Sequence, residues 1–107
     1  MLPSCVIVFT TFPADGDASV LAETLVAERL AACVNLLPPM QSVYRWQGKI
    51  ERQPEVLLLA KTSRAKFDDL EREVRALHSY ETPEIIALPI VAGSIPYLDW
   101  LDASLKP

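Results

Sequence analysis

His78 is the only histidine of the chain, and side chains able to bind metals or move protons lie near it in sequence. Glu81 and Glu84 follow it closely, and Cys33 is a further candidate by type. One imidazole with scattered carboxylates is a thin ligand set for a single chain, although a site shared between copies needs only part of its shell from each. The other reading puts His78 at the C-terminal end of a helix, where it complements the helix dipole; the ligand count favours this. Lys61 closes the apolar run Val56–Ala60. A lysine there costs desolvation unless it is paired, so it either marks a pocket or reaches solvent on its long stem. Glu84, directly after Pro83, is its expected partner. Cys33 would be a nucleophile only with a lowered pKa, and its apolar surroundings read as those of a buried thiol. Tyr44 and Trp46 stand two apart, on one face of a strand, a pair more typical of a core or interface than of a ligand platform. The chain has three glycines and no phosphate-cradling loop or nucleophile elbow.

The elements that must position these residues follow from hydrophobic periodicity. Cys5–Thr11 is a β-branched, buried strand. Asp17 is an N-cap for a helix running through Leu30, with Ala18, Leu21, Ala22, Leu25, Val26 and Leu30 as its apolar stripe. Ala32–Leu37 is a second strand, broken by Pro38-Pro39 and resumed over Gln41–Trp46. Gln47-Gly48 turns the chain, Lys49–Arg52 returns, and after Pro54 the segment Glu55–Thr62 continues as a buried strand. Ser63 caps a second helix with Phe67, Leu70, Val74 and Leu77 on its apolar side, ended by His78-Ser79-Tyr80. Glu84–Ala92 is the last strand, and Ser94 caps a short final helix with Pro96 in its first turn.

This order is α+β: a ferredoxin-like βαββαβ sheet-and-helix sandwich with a long hairpin between its second and third strands and a short C-terminal helix. The whole of residues 1–107 reads as one domain by length. Its strands are apolar at nearly every position, as in Val6–Phe9, Val56–Leu59 and Ile85–Leu88, and strands buried on both faces read this way. Helices cover one face. The other must be covered by the C-terminal helix or by further copies of the chain, and the hairpin is a natural arm for pairing between copies.

Composition agrees. Half the residues are apolar and the mean hydropathy is +0.20, rich for so small a domain. No apolar run approaches the roughly 20 residues of a spanning helix, so no membrane partner is expected. The N-terminal residues do not read as a signal peptide, which points to the cytoplasm. A net charge of −4 without a Lys/Arg run speaks against nucleic acid. Cys5 and Cys33 read as buried thiols rather than a disulfide.

Several segments then add up. Arg29-Leu-Ala-Ala-Cys33-Val-Asn35, Ser42-Val-Tyr44-Arg-Trp46-Gln-Gly-Lys49-Ile, Glu55 followed by Lys61-Thr62, His78-Ser-Tyr80-Glu-Thr-Pro83-Glu84-Ile and Tyr97-Leu-Asp-Trp100 together resemble the CutA divalent-cation-tolerance family over nearly the whole chain. The resemblance implies a cytosolic homotrimer, similar in architecture to PII signal-transduction proteins, with a role in tolerance of divalent cations and of copper especially. It implies an inter-subunit pocket drawing on Cys33, Asn35, Tyr44, Trp46, Lys61, Tyr80 and Glu84, with His78 as the metal-directed residue. No cofactor is required; copper or another divalent cation is the metal to which the resemblance points. Some members carry a cysteine at the end of the first strand, a second histidine before the shared one and a proline after it. Here those positions hold Thr10, Leu77 and Ser79, which strips a copper site of that kind to His78. A metal-responsive or small-ligand-binding regulator is the expected function. The competing expectations are an enzyme for a small polar substrate, with Lys61 as clamp and Glu84 or His78 as acid–base, and a scaffold that anchors a partner protein.

Overall fold

In the computed structural model, which describes residues 4–107, the alternation of apolar side chains decides how each strand faces. The elements are β1 (Cys5–Pro13), α1 (Ala18–Ala27), β2 (Cys33–Leu36), β3 (Met40–Trp46), β4 (Lys49–Ser63), α2 (Phe67–Leu77), β5 (Ile85–Pro89) and α3 (Ile95–Ser104). The sheet order is β2-β4-β1-β5, with every pairing antiparallel, and β3 lies beside the outer half of β4. This is the expected ferredoxin-like plan. Residues 1–3, which carry part of the signal-peptide reading, lie outside the described residues.

One face of the sheet makes the core. Val6, Val8, Leu58 and Ala60 pack there against Leu21 and Leu25 of α1 and Leu70 and Val74 of α2. Fully burying one such side chain stabilises the fold by roughly 1.5–3 kcal/mol. Val26 and Leu77, expected on the helix stripes, are instead exposed. Val26 is one residue past the buried Leu25, about 100° round the helix, and Leu77 is the last helical residue.

The opposite face carries Ile7, Phe9, Leu57, Leu59, Ile86 and Leu88, aligned by the register of β4, β1 and β5. α3 covers only its Cys5 end, where Leu98, Leu101 and Leu105 pack on that thiol with Ala32 and Ile90. Ile86 and Leu88 remain 51% and 42% exposed.

The long hairpin is β3–β4. Gln47 (φ 50°) and Gly48 (φ 78°) both occupy the left-handed region, as a two-residue turn matched to strand twist requires. The proline expected to break the return arm does not. β4 runs unbroken for 15 residues through Pro54, whose carbonyl accepts from the Ala14 amide at 3.0 Å. β4 changes partners at Glu55, which pairs with both Met40 and Pro13. The outgoing arm is broken as expected: β2 and β3 line up along β4 on either side of Pro38-Pro39.

Several boundaries differ from the sequence expectation. α1 stops at Ala27 because Arg29 turns left-handed (φ 59°) and the amides of Leu30 and Ala31 both return to the Leu25 carbonyl. Ser63 precedes a single 3-10 turn at Arg64–Lys66 rather than α2 itself, and its hydroxyl makes no cap bond. Ser94 starts α3, also without a side-chain cap bond, its carbonyl accepting from the Leu98 amide instead. β5 ends at Pro89, shorter than expected, although the Ile90 amide still donates to the Cys5 carbonyl at 3.0 Å. Asp17 does cap α1, accepting from the Val20 amide at 3.3 Å.

Thr10 is fully buried beside this core, and its hydroxyl has no partner. An unsatisfied buried hydroxyl costs about 1–3 kcal/mol, which an apolar group of the same shape avoids. Thr10→Val is therefore expected to raise thermal stability, by roughly 4 °C or more per kcal/mol recovered. A lower melting temperature would show that the hydroxyl has a partner after all.

Candidate functional site

Alternation along β3 sends Met40, Ser42, Tyr44 and Trp46 to one side, and that side forms a wall of a cavity of about 740 Å³. The floor comes from Phe9 and Thr11 of β1 and Glu55 and Leu57 of β4. The loop after α2 closes it with Ser79, Tyr80, Glu81, Thr82 and Glu84. Its volume is that of a small-molecule site. Glu55 is only 5% exposed, since it sits where β4 is flanked by both β3 and β1.

His78 fixes the loop. It ends α2 with extended backbone (φ −85°, ψ 141°). Its Nδ1 accepts from the Tyr80 amide at 3.0 Å, so the proton lies on Nε2, which donates to the Thr11 carbonyl at 2.6 Å. The ring also packs between Phe12 and Tyr80, with centroids at 4.7 and 4.8 Å. Both nitrogens are thus engaged, and a metal at His78 has to displace one of these bonds. Among the described residues, no group of three or more His, Cys, Asp or Glu side chains converges as a metal site within one chain.

The Tyr80 phenol ionises late. Burial first, then its hydrogen bond to the Glu55 carboxylate and that group's charge, push it up to about 12. Its folded value lies above the ordinary value of 10, so its contribution to stability is present below pH 10 and lost as pH rises towards 12. In alkaline difference spectroscopy one of the three tyrosines is expected to ionise near pH 12, and Glu55→Gln should lower that midpoint without returning it to 10, because burial remains. Three superimposed transitions near pH 10 would contradict this.

The residues expected in one pocket fall into two groups. Tyr44, Trp46, Tyr80 and Glu84 line the cavity; His78 stands behind it, bonded to the loop. Cys33, Asn35 and Lys61 gather elsewhere on the open sheet face. Cys33 pairs with Lys61 across the strands, and its thiol donates to Asn35 Oδ1 at 3.8 Å. The Lys61 ammonium lies over the Tyr97 ring of α3 at 5.8 Å. The expected Lys61–Glu84 pair is not formed. Lys61 is level with Ile7 and Leu88, whereas Glu84 precedes Ile85, which is level with Thr10. That separation leaves them at different places along the sheet. Cys33 is also only partly buried, unlike Cys5, and both thiols are free.

Sequence reasoning passed over Glu55 as a site residue, together with Phe9 and Ser42, and weighed Glu81 only as a metal-ligand partner of His78. Glu55 did leave a signal: a carboxylate at the head of the apolar run Val56–Ala60, directly after a proline.

The family model of the CutA1 divalent ion tolerance protein matches residues 6–104. The divalent-cation tolerance protein CutA of Thermus thermophilus is 50% identical over 95 residues, covering 89% of this chain and 92% of that protein. Human protein CutA is 46% identical over 93 residues, 87% of this chain. The chain spans about half the length of the human, rice and Arabidopsis relatives. Among solved structures, CutA1 from Oryza sativa superposes with a TM-score of 0.94 at 41% identity, covering 98% of this chain and 96% of that one. The solved Thermus thermophilus protein gives 0.90 at 48% identity, covering 94% and 97%.

Proposed function

From the premise that this chain belongs to the CutA1 divalent ion tolerance family, we propose that it is a homotrimeric binding protein that serves divalent-cation tolerance through the cavity between the β3–β4 arm and the sheet. The observation that carries the reading is the cavity itself, with its aromatic wall and the buried carboxylate of Glu55. Closed assembly is supported by the uncovered apolar sheet face and by the arm, which stretches the chain to 46 × 25 × 24 Å and exposes Val43, Trp46 and Ile50. The number of copies, three, rests on the motif resemblance.

Binding fits the geometry better than catalysis. The acid–base arrangement of an enzyme would need Lys61 beside Glu84 or His78, and the register keeps Lys61 apart from Glu84 while His78 spends both nitrogens on backbone groups. A scaffold role would use the exposed helices instead. A metal, copper above all, would take the form of a site shared between copies, with His78 releasing one bond to join it. We place the protein in the cytoplasm, where its two free thiols suit a reducing compartment. Among the described residues no helix is long and apolar enough to cross a membrane.

Native mass spectrometry during a copper(II) titration, with zinc as comparison, tests this. The expected species has three times the 11.9 kDa chain mass and takes up copper in steps of one per subunit, an uptake lost in His78→Phe. A trimer that takes up copper only at large excess would remove the metal from the reading and leave the cavity as the binding site.

A further inference from the structure

The lining of the cavity is one-sided in charge. Glu55, Glu81 and Glu84 contribute carboxylates, and no lysine, arginine or histidine lines it. Glu55 is the telling member, because only 5% of it is exposed. The ion pairs among the described residues are Arg72–Asp69, Arg75–Glu71 and Lys106–Asp102, all local pairs on α2 or at the end of α3. Glu55 lines the cavity beside the Tyr80 phenol and, among the described residues, takes part in no ion pair. A carboxylate in that position, on a wall without basic side chains, suits a cationic ligand.

The walls say which kind of cation. Tyr44, Trp46, Tyr80 and Phe9 present aromatic surface to the same space, and aromatic faces attract ammonium groups while covering their carbon chains. The cavity, at about 740 Å³, is far larger than a single metal ion and its ligands need. The hydroxyls of Ser42 and Thr82 and the three carboxylates are acceptors for N–H donors spread along its length. An inorganic cation would use the carboxylates and leave the aromatic wall without a role.

We propose that the cavity binds a linear organic polycation carrying primary ammonium groups, one of them seated between the Glu55 carboxylate and the Tyr44–Trp46 wall. This deepens the binding reading above and rests on it. The nearby Glu81 and Glu84 are exposed and take a second ammonium at the mouth, where added salt weakens the attraction.

Calorimetry on the assembled protein tests the assignment with 1,4-diaminobutane, its uncharged isostere 1,4-butanediol and the dianion succinate. The diamine is expected to bind saturably, more weakly as salt is raised, with no heat from the diol or succinate. Glu55→Gln should weaken diamine binding by about tenfold or more, the scale of a lost charge-assisted hydrogen bond. Trp46→Leu should weaken it too, and quenching of tryptophan fluorescence by diamine should vanish with it. If Glu55→Gln does not assemble, Glu84→Gln at the exposed mouth serves, with a smaller loss and a flattened salt dependence. Equal binding of diamine and diol would overturn the proposal. So would absence of diamine binding by a wild-type protein that native mass spectrometry shows to be assembled, which would assign Glu55 to a basic side chain of a neighbouring copy. Copper uptake is read separately: diamine binding without it upholds the present assignment, and copper uptake without diamine binding overturns it while keeping the metal reading.

Discussion

Ile86→Asp is expected to turn the proposed trimer into single chains of 11.9 kDa while leaving each chain folded. Ile86 is half-exposed on the face that α3 leaves open, level with Phe9 and near Leu88. In an isolated chain a substitution at such a position changes stability by about 0.5 kcal/mol or less. Packed against another copy the same residue is interior, and every subunit would bury an unpaired carboxylate, costing several kcal/mol each. The two situations therefore differ by far more than experimental error. Native mass spectrometry or light scattering reads the mass, and circular dichroism confirms that the monomer keeps its sheet. An oligomer that survives with unchanged mass and melting temperature would show that this face is not an interface. A wild type whose melting temperature is independent of protein concentration would argue the same way.

Replacing His78 is expected to produce the largest loss of stability outside the apolar core. His78→Ala removes two hydrogen bonds, each worth about 0.5–1.5 kcal/mol, and two aromatic contacts, each worth about 0.5–1.5 kcal/mol. It also strands the part-buried Thr11 carbonyl and the Tyr80 amide. A loss of about 2–4 kcal/mol follows, since such terms are not fully additive. For a chain of this size that is a melting temperature lower by roughly 10 °C or more. His78→Phe keeps the ring between Phe12 and Tyr80 and should lose about half as much. Hydrogen exchange gives an independent readout: the Tyr80 amide should exchange far faster in both variants, because it has lost its acceptor, while the amides of β1 opposite β4 stay protected. A loss under about 1 kcal/mol in His78→Ala, less than one hydrogen bond and one ring contact together, would mean that the loop is held by something other than this ring. The cavity should feel the same change, since Ser79, Tyr80, Glu81 and Thr82 leave the same anchor.

The sequence by itself determined the order of elements, the ferredoxin-like plan and the doubly apolar strands, because each follows from local periodicity and β-branched content. It also placed the Asp17 cap and the Gln47-Gly48 turn, where one or two residues set the backbone. Its motifs named the family. Tertiary structure decided what depends on the register between strands distant in sequence. Lys61 and Glu84 look like partners along the chain, yet pairing of β4 and β5 with β1 sets them at different levels of the sheet. Glu55 looks like an ordinary strand carboxylate, yet it is buried because β4 passes from β3 to β1 at that residue. His78 looks like a free ligand or a helix end facing water. Its two nitrogens are taken by a carbonyl 67 positions away and an amide two positions on, and only the packing of the α2 loop against β1 brings the first of these within reach.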